Sequence, residues 1–369
     1  MCGIVGLWTL GRTAPLQVME RMLERLRHRG PDAGKIACER DGELLLGHRR
    51  LAIVDLSPAG LQPMTSPSTR YVIVFNGEIY NHHALRDELE REGRAPARWN
   101  GTSDTETLLA GFDCWGIEAT LQRVTGMFAF AIWDERDRQL VLGRDRLGEK
   151  PLYHGWIGSG ADESFVFASE VSAFRAHPEF EARIDRSALS RFVRLNCIGG
   201  SQSIYEGVSQ LPPGCLLTIS ATNRRQAPRP YWSVVSAIRT ARAAPFRGTP
   251  GDAVDALDRL LGDSVAQQTV ADVPLGAFLS GGIDSSTIAA LMQSRSSQPV
   301  RTFSIGFHEP GYDEAAHAKA VAAHLGTVHT ELYVTAMEAL DVVPRLPSLF
   351  SEPFADSSQI PTFLVSQLA

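Results

Sequence analysis

The sequence predicts two domains of different fold class, an α+β domain with layered antiparallel sheets and then an α/β domain with a parallel sheet. In the first half, several short apolar segments follow one another with few helical patterns between them, which is typical of antiparallel layers. In the second half, strands and helices alternate, and the order β-α-β-α-β indicates parallel strands joined by crossover helices. A length of 369 residues allows each domain its own hydrophobic core.

The elements of the first domain are predicted from apolar spacing. Leucines and methionines at helical spacing predict a helix over 16–29 that Gly30 and Pro31 end, and a further helix is predicted over 104–114. Residues 134–138 are predicted to form the turn of a hairpin. The predicted strands are 2–10, 43–54, 71–76, 127–133, 139–144 and 164–168.

The second domain is predicted to follow a linker. Composition shifts to Ala, Thr, Arg and Pro over 219–250, so we expect the two domains to occupy residues 2–218 and 251–369. The chain ends inside an apolar segment, 360–369, without a capping residue, and we expect the second domain to be cut there. The predicted elements, in chain order, are helix 252–269, strand 273–279, helix 285–295, strand 300–307, helix 313–326 and strand 328–333.

Composition argues against several classes of protein. A net charge of −6 does not suit a nucleic-acid-binding surface or a polybasic membrane anchor. The five cysteines show no C-x-x-C spacing, so they are interpreted as reduced thiols and not as a disulfide framework or a zinc site. No apolar segment approaches the ~18–20 residues of a membrane helix, and no signal-peptide pattern is seen. We therefore expect a cytoplasmic protein without nucleic-acid or membrane partners.

Cys2 is the first candidate catalytic residue. It follows Met1, so removal of Met1 would place a thiol nucleophile and a free α-amine on one residue. An α-amine titrates near ~8 and a thiol near ~8.5, so the amine can accept the thiol proton at neutral pH. Taken alone, the residue also fits a small buried cysteine in a first strand, and the downstream sequence has to decide between the two.

A glycine- and serine-rich loop, LSGGIDSS at 279–286, lies between a predicted strand and a predicted helix. Glycines allow a phosphate to approach the backbone, and the helix N-terminus adds N–H donors and the positive end of its dipole. Ser280, Ser285 and Ser286 add hydroxyl donors, and Asp284 could hold a Mg²⁺ ion that the phosphates carry. The loop matches neither a Walker A loop nor a G-x-G-x-x-G loop. A pyrophosphate site is favoured over a plain strand–helix turn with a serine cap.

Eight segments spread over essentially the whole chain resemble the glutamine-dependent asparagine synthetases. More widely, they resemble class II (N-terminal-cysteine) amidotransferases joined to a synthetase domain of the ATP-pyrophosphatase type. The resemblance implies an Ntn-hydrolase-like first domain, the glutaminase, and a truncated second domain like the adenine nucleotide α-hydrolases. The segments are MCGIVG at 1, RHRGPD at 27, GHRRLAIVD at 47, NGEIYN at 76, TSDTE at 102, GRDRLGEKPLY at 143, LPPG at 211 and LSGGIDSS at 279.

The resemblance assigns roles in glutamine hydrolysis. It implies that Cys2 attacks the side-chain amide of glutamine and leaves a glutamyl thioester and ammonia. Asn76 and Gly77 are implied to form the oxyanion hole, and Arg50 to bind the α-carboxylate of glutamine through two parallel donors. Arg49 is one residue out of the family register and is expected to be solvated or bridging. The implied glutamine-binding residues are Arg50, Leu51, Ile53, Val54, Asn76, Gly77, Glu78 and Asp104.

Glu78 and Asp104 are implied to hold the α-ammonium group of glutamine. In the second domain, the resemblance implies that ATP activates a carboxylate, with aspartate favoured, as an acyl-adenylate and releases pyrophosphate. Ammonia kept from water in a sealed passage would then amidate this acceptor. ATP and Mg²⁺ would act as a substrate complex without a tightly bound cofactor, and the family is often homodimeric. The implied nucleotide-binding residues are Leu279, Ser280, Gly281, Gly282, Asp284 (also at the metal), Ser285 and Ile305.

Three alternatives stay open at this point. Residues 352–358 lack a Thr/Arg-containing pattern of some asparagine synthetases, so the acceptor could belong to cell-surface polysaccharide or secondary metabolism. A β-lactam-synthetase-like relative would lack the N-terminal cysteine, and Cys2 argues against it. The family's later SGEGxDE-type segment and a downstream lysine do not occur in the sequence. A glutaminase-only or non-catalytic scaffold is therefore the third alternative, and we expect the chain not to make asparagine alone.

Overall fold

The computed structural model describes residues 1–308 and 314–369, which divide into two compact units, Met1–Ala244 and Pro245–Ala369. The predicted linker, 219–250, contains regular structure, including a helix over Val234–Ala243. The limits of the linker and of the two predicted domains stay predictions.

Unit 1 is built on two six-stranded antiparallel sheets. The first sheet contains β1 (Gly3–Trp8), β2 (Ala33–Glu39), β3 (Leu44–Arg50), β8 (Tyr153–Ile157), β9 (Ser164–Ala168) and β10 (Val208–Gln210), in the spatial order β10-β8-β9-β1-β3-β2. The second sheet contains β4 (Met64–Thr65), β5 (Tyr71–Ile79), β6 (Gly126–Asp134), β7 (Gln139–Arg144), β11 (Cys215–Ser220) and β12 (Arg229–Pro230), in the order β12-β11-β7-β6-β5-β4.

The inner faces of the two sheets pack on each other, and helices cover the outer faces. Trp8 and Leu46 of the first sheet share a buried cluster with Val74 and Trp133 of the second. The outer face of the first sheet packs with α1 (Leu16–Glu24) and α5 (Val171–Phe174), and that of the second packs with α2 (His82–Arg91), α3 (Asp104–Trp115) and α4 (Ile117–Arg123). The result is a four-layer arrangement of helices, sheet, sheet and helices, to which α6 (Arg186–Leu195) and α7 (Val234–Ala243) are added.

Unit 2 contains a parallel sheet whose strands alternate with helices. Its strands are β13 (Gly276–Phe278), β14 (Arg301–Phe307) and β15 (Val328–Val334), paired in that order. The crossovers contain α9 (Ile283–Arg295) and α10 (Ala315–Leu325), and the remaining helices are α8 (Pro250–Gln268), α11 (Ala336–Val342), α12 (Leu346–Leu349) and α13 (Gln359–Leu368). The start of α8 is fixed by a capping box, in which Thr249 and Asp252 bond each other's backbone N–H.

The predicted fold classes are confirmed, and the errors lie in individual elements. The helix predicted over 16–29 is wrong at its end, because it stops at Glu24 and a 3₁₀ turn over Arg27–Arg29 follows. The strand predicted over 43–54 is also too long and ends at Arg50. The sequence does not predict β2, because no residue of this edge strand is fully buried and it carries no strong apolar alternation. Residue 313 of the predicted helix 313–326 lies outside the described residues.

Candidate active site

Three strands of unit 1 change from apolar to polar side chains at one end of the packed sheets. Side chains alternate between the faces of a strand, so every second residue points to the inner face. Along β3 the inner face carries Leu44, Leu46, His48 and Arg50, and along β5 it carries Val72, Val74, Asn76 and Glu78. Cys2 lies two residues before the inner-face residue Ile4 of β1, and β1 pairs with β3 through Gly3 and Arg49. The apolar core therefore gives way to a polar group contributed by both sheets.

This polar group surrounds a cavity of about 70 Å³. Every residue that the sequence predicts for glutamine hydrolysis lines it, although these residues come from separate segments of the chain. The predicted residues at the cavity are Cys2, Arg50, Leu51, Ile53, Val54, Asn76, Gly77, Glu78 and Asp104. The structure thus brings together the whole predicted glutaminase set.

The Cys2 thiol is held as a neutral group next to an amine. Its Sγ donates to the carbonyl oxygen of Leu51 at 3.7 Å, and burial raises the thiol pKa. The α-amine of Met1 lies in the same cavity, and burial lowers its pKa to about 6, helped by the positive charges of Arg29 and Lys150. An amine at this place is uncharged at neutral pH and able to accept a proton, whereas the thiol needs a base to become a nucleophile.

Arg29 fixes the backbone of Cys2. Its Nε donates to the carbonyl oxygen of Cys2 at 3.0 Å, and its Nη1 donates to the Glu170 carboxylate at 2.8 Å. Glu170 also accepts from Ser172 at 3.2 Å and lies 3.0 Å from His28 Nε2. These contacts fix the carboxylate, which in turn holds the Arg29 side chain in place. The sequence motif RHRGPD contains Arg29, but sequence reasoning assigned it no role.

The adjacent arginines Arg50 and Arg49 point to different environments. Arg50 is buried, and its two terminal nitrogens donate to the carbonyl oxygens of Ser57 (2.9 Å) and Asp55. These bonds fix the guanidinium plane at the cavity and use only part of its five N–H donors. Arg49 lies on the opposite face of β3, where it pairs with Glu24 and donates to the carbonyl oxygen of Leu23 at 3.4 Å. The expected bridging role of Arg49 matches this contact.

Asn76 is the most unusual side chain of the cavity. It is 0% exposed, yet neither its Oδ1 nor its Nδ2 has a hydrogen-bond partner among the described residues. An unpaired buried polar atom costs about 1–3 kcal/mol, so such a pair of atoms is rare in a core. The amide therefore lies ready for a group that enters the cavity.

The backbone N–H of Gly77 faces the same cavity edge of β5. Phe75 N–H donates to Gln62 Oε1 at 2.6 Å and Ile79 N–H donates to Asp104 Oδ2 at 2.9 Å, so both point away from the neighbouring strand β6. Because N–H directions alternate along a strand, Gly77 N–H lies on this edge between them. A Cβ at Gly77 would overlap the backbone of Met127 and Phe128, so the close approach requires glycine.

The two carboxylates of the predicted site lie close enough to influence each other. Burial raises the pKa of Glu78 to about 7, and the charge of Asp104 raises it further, while Lys150 opposes this rise. Burial also raises the pKa of Asp104, against hydrogen bonds from the backbone of Ile79 and Thr105. Asp104 stands in the first turn of α3, where Ser103 caps the helix by accepting from Thr105 N–H at 3.2 Å. Two carboxylates at one wall suit a cationic ligand group.

Lys150 is a cavity residue to which the sequence analysis assigned no role, although it stands in the segment GRDRLGEKPLY. The lysine is buried, and burial lowers the pKa of its ammonium group. Its backbone is clamped on both sides, since its N–H donates to Asp145 Oδ2 at 3.0 Å and its carbonyl accepts from Arg144 Nε at 2.8 Å. Further lining residues that the sequence did not indicate are Met1, His48, Gly60, Gln62, Phe75, Ser103, Thr105 and Met127.

In unit 2 the glycine loop connects β13 to α9 at the carboxyl end of the parallel strands. Ser280 Oγ and Ser285 Oγ lie 2.9 Å apart, and Ser285 Oγ also accepts from Ser280 N–H at 3.2 Å. Gly281 has φ +79°, and a Cβ there would contact α10 at 2.8 Å, so only glycine fits. Asp284 is exposed in the first turn of α9. The edge beyond the carboxyl ends of parallel strands is where open α/β sheets bind ligands.

The other residues predicted for the nucleotide lie on the same sheet. Leu279 is buried, and its N–H donates to the carbonyl oxygen of Phe303 at 2.9 Å, while Ile305 is half-buried near the end of β14. Within residues 1–308 and 314–369, no cluster of three or more His, Cys, Asp or Glu side chains is arranged to hold a metal ion. In the same part of the chain, no helix combines the length and the apolar character that crossing a membrane requires.

Both parts of the chain match known protein families. Residues 1–232 match the model of the glutamine amidotransferase domain and residues 256–369 match that of asparagine synthase. The chain belongs to the family of glutamine-hydrolysing asparagine synthetases. A putative asparagine synthetase of Mycobacterium tuberculosis (strain ATCC 25618 / H37Rv) is 38% identical, over 93% of this chain and 52% of the relative.

Two further relatives carry the same kind of name. Asparagine synthetase 3 of Bacillus subtilis (strain 168) is 35% identical, over 92% of this chain and 55% of the relative. The putative asparagine synthetase 2 of Methanocaldococcus jannaschii is 32% identical, over 100% of this chain and 72% of the relative. The chain thus spans about half the length of the first two relatives.

Proposed function

We propose that unit 1 hydrolyses glutamine to glutamate and ammonia with Cys2 as the nucleophile. The observation that carries this proposal is the Asn76 amide, buried without a partner among the described residues, beside a cavity that also holds a thiol. An amide hydrolase needs donors aimed at the oxygen that becomes negative in the tetrahedral intermediate. Asn76 Nδ2 and Gly77 N–H meet this need.

The proposed reaction uses the groups of the cavity in sequence. After removal of Met1, the α-amine of Cys2 accepts the thiol proton and the sulfur attacks the side-chain carbonyl of glutamine. The tetrahedral intermediate expels ammonia, which takes up the proton, and leaves a glutamyl thioester that water hydrolyses. Met1 itself lines the cavity, so its removal also enlarges the space for the substrate.

We propose for unit 2 that the loop at 279–286 binds the phosphates of ATP. The hydroxyl pair Ser280–Ser285 and the N-terminal turn of α9 supply donors, and Asp284 supplies one carboxylate for a Mg²⁺ ion that otherwise binds phosphate oxygens. ATP would activate the carboxylate of aspartate as an acyl-adenylate with release of pyrophosphate. Ammonia would then attack the acyl carbon, and AMP would leave to give asparagine. The names of the relatives support this choice of product.

The direct test is to measure glutamate and ammonia from glutamine with protein whose loss of Met1 is confirmed by intact mass. We expect equal amounts of the two products. A processed protein that forms neither would contradict the proposal and favour a non-catalytic scaffold. Binding of ATP with Mg²⁺, measured by calorimetry on the same protein, tests the role of the loop at 279–286 separately.

Arg50→Lys is expected to weaken glutamine binding while its neighbour tolerates the same change. A lysine cannot present two parallel donors to the α-carboxylate, so we expect KM to rise by about ten- to a hundredfold with a smaller change in kcat. The matched control is Arg49→Lys, which alters a pair with Glu24 on the other face of β3. Steady-state glutaminase kinetics check both variants, and equal KM effects at the two positions would contradict the assignment.

Glu78 is expected to set the acid limb of the glutaminase pH profile. Its pKa of about 7 means that the carboxyl is protonated below this pH and cannot pair with the α-ammonium of glutamine. We therefore expect kcat/KM to fall by about tenfold per pH unit below pH 7. Glu78→Gln should lower kcat/KM at pH 8 and move the acid limb to lower pH, where protonation of the catalytic amine alone remains. A limb that stays near pH 7 in the variant would assign it to another group.

A further inference from the structure

Gln62 occupies a central place in the wall of the cavity without any role in the proposed chemistry. Its side chain is buried and makes two hydrogen bonds in different directions. Oε1 accepts from the N–H of Phe75 on β5 at 2.6 Å, and Nε2 donates to Thr105 Oγ1 on α3 at 3.2 Å. Gln62 therefore connects the strand of the proposed oxyanion hole to the helix that carries Asp104.

The hydrogen bond between Phe75 N–H and Gln62 takes the place of a bond to a neighbouring strand. The short strand β4 pairs with β5 only through Met64–Ile73 and Thr65–Val72, so the edge of β5 beyond Ile73 lacks the partner that a longer β4 would provide. Gln62 takes the N–H of Phe75, and His48 Nε2 donates to the carbonyl oxygen of Phe75 at 3.1 Å. Two side chains thus satisfy the backbone immediately before Asn76.

These hydrogen bonds and the backbone of β5 between Phe75 and Ile79 form a closed ring, and Gly77 is the central residue of this backbone segment. From Gln62 the ring runs through Thr105 Oγ1 to Asp104 Oδ1, at 3.4 Å, and from Asp104 Oδ2 back to β5 at Ile79 N–H, at 2.9 Å. Phe75 and Ile79, the two residues of β5 held by this ring, are each two positions from Gly77. On this edge of β5, the N–H of Gly77 lies between the hydrogen-bonded N–H groups of Phe75 and Ile79.

We propose that Gln62 is a positioning residue that holds the Gly77 N–H and the Asn76 amide in the orientation that the oxyanion requires. Its hydrogen bonds also couple this orientation to Asp104. The inference rests on the proposed glutaminase function. Donors stabilise a developing oxyanion only when they are already in place, since a displacement near 1 Å can cost about a hundredfold in rate. Gln62 acts through the strand, because both halves of its amide are engaged by Phe75 and Thr105.

The test is a double-mutant cycle between Gln62→Met and Asn76→Ala, read as glutaminase kinetics. We expect Gln62→Met to lower kcat by about ten- to a hundredfold with KM changed by less than about threefold. In the Asn76→Ala background, the same change should lower kcat by a clearly smaller factor than in the wild type, because one of the two donors that Gln62 positions is already absent. Gln210→Met is the control, since Gln210 bonds Tyr153 away from the cavity, and kcat should stay within about twofold.

A second pair of variants keeps the test available if Gln62→Met does not fold. Thr105→Val removes the hydroxyl that joins Gln62 to Asp104 and should lower kcat, whereas Thr105→Ser retains it and should restore kcat. Additive effects in the cycle, or equal activity of the two Thr105 variants, would overturn the role of Gln62 and leave the glutaminase proposal standing. A wild-type protein that releases no ammonia would overturn both.

Discussion

Cys2→Ala is expected to abolish ammonia release from glutamine, with a loss of at least about 10⁴-fold in kcat/KM. The thiol is the nucleophile proposed for the cavity, where Cys2 is half-buried and its Sγ donates to the carbonyl oxygen of Leu51 at 3.7 Å. Removing this sulfur atom loses only the long hydrogen bond to Leu51 and leaves the other hydrogen bonds around the cavity in place. The melting temperature should therefore change little. Glutamate and ammonia formation measured with the processed variant checks this expectation.

Cys38→Ala provides the matched control for Cys2→Ala. Cys38 is an exposed thiol on the edge strand β2, so its loss should leave glutaminase activity unchanged. Ammonia release that survives Cys2→Ala would remove the nucleophile assignment, and loss of activity in both variants would indicate a general effect of thiol removal. Both proteins need the same confirmation that Met1 has been removed, because the proposed base is the amine exposed by that step.

The sequence predicts the central residues of the site because their motifs are local. Cys2, Arg50 and the Asn76–Glu78 segment each stand at or near the polar end of an apolar segment that the sequence shows directly. The resemblance supplied their roles, and the structure places them at one cavity because β1 pairs with β3 while β5 packs opposite. What the sequence pattern cannot show is the pairing that makes these ends coincide.

Gln62 and Lys150 illustrate what lies beyond sequence reasoning. Each is a polar residue in an irregular segment, where no periodicity distinguishes a buried side chain from a solvated one. Gln62 becomes central only because β4 stops short of Phe75, and Lys150 only because Asp145 clamps its loop. Such roles depend on tertiary hydrogen bonds, so a structure is needed to find them.

Asn76→Leu is expected to separate catalysis from stability. The variant removes a donor for the developing oxyanion, so we expect kcat to fall by about 10²–10³-fold. The same change removes two buried polar atoms that have no hydrogen-bond partner among the described residues. Relief of that cost, about 1–3 kcal/mol for an unsatisfied group, should leave the free energy of unfolding unchanged or raise it. Denaturant unfolding and glutaminase kinetics on one preparation measure both effects.

Asn81→Ala should show the reverse pattern and so serves as the control. The Asn81 amide is hydrogen-bonded at both ends, because its Nδ2 donates to the carbonyl oxygen of Arg123 at 2.9 Å and its Oδ1 accepts from Thr125 N–H at 2.8 Å. Its loss should lower the free energy of unfolding by about 1 kcal/mol and leave kcat nearly unchanged. An Asn76→Leu protein that loses stability but keeps its kcat would show that the amide is structural. A loss of kcat without loss of stability at Asn76, and a loss of stability without loss of kcat at Asn81, would show that the Asn76 amide stabilises the transition state. Destabilisation of the fold cannot produce this pair of results.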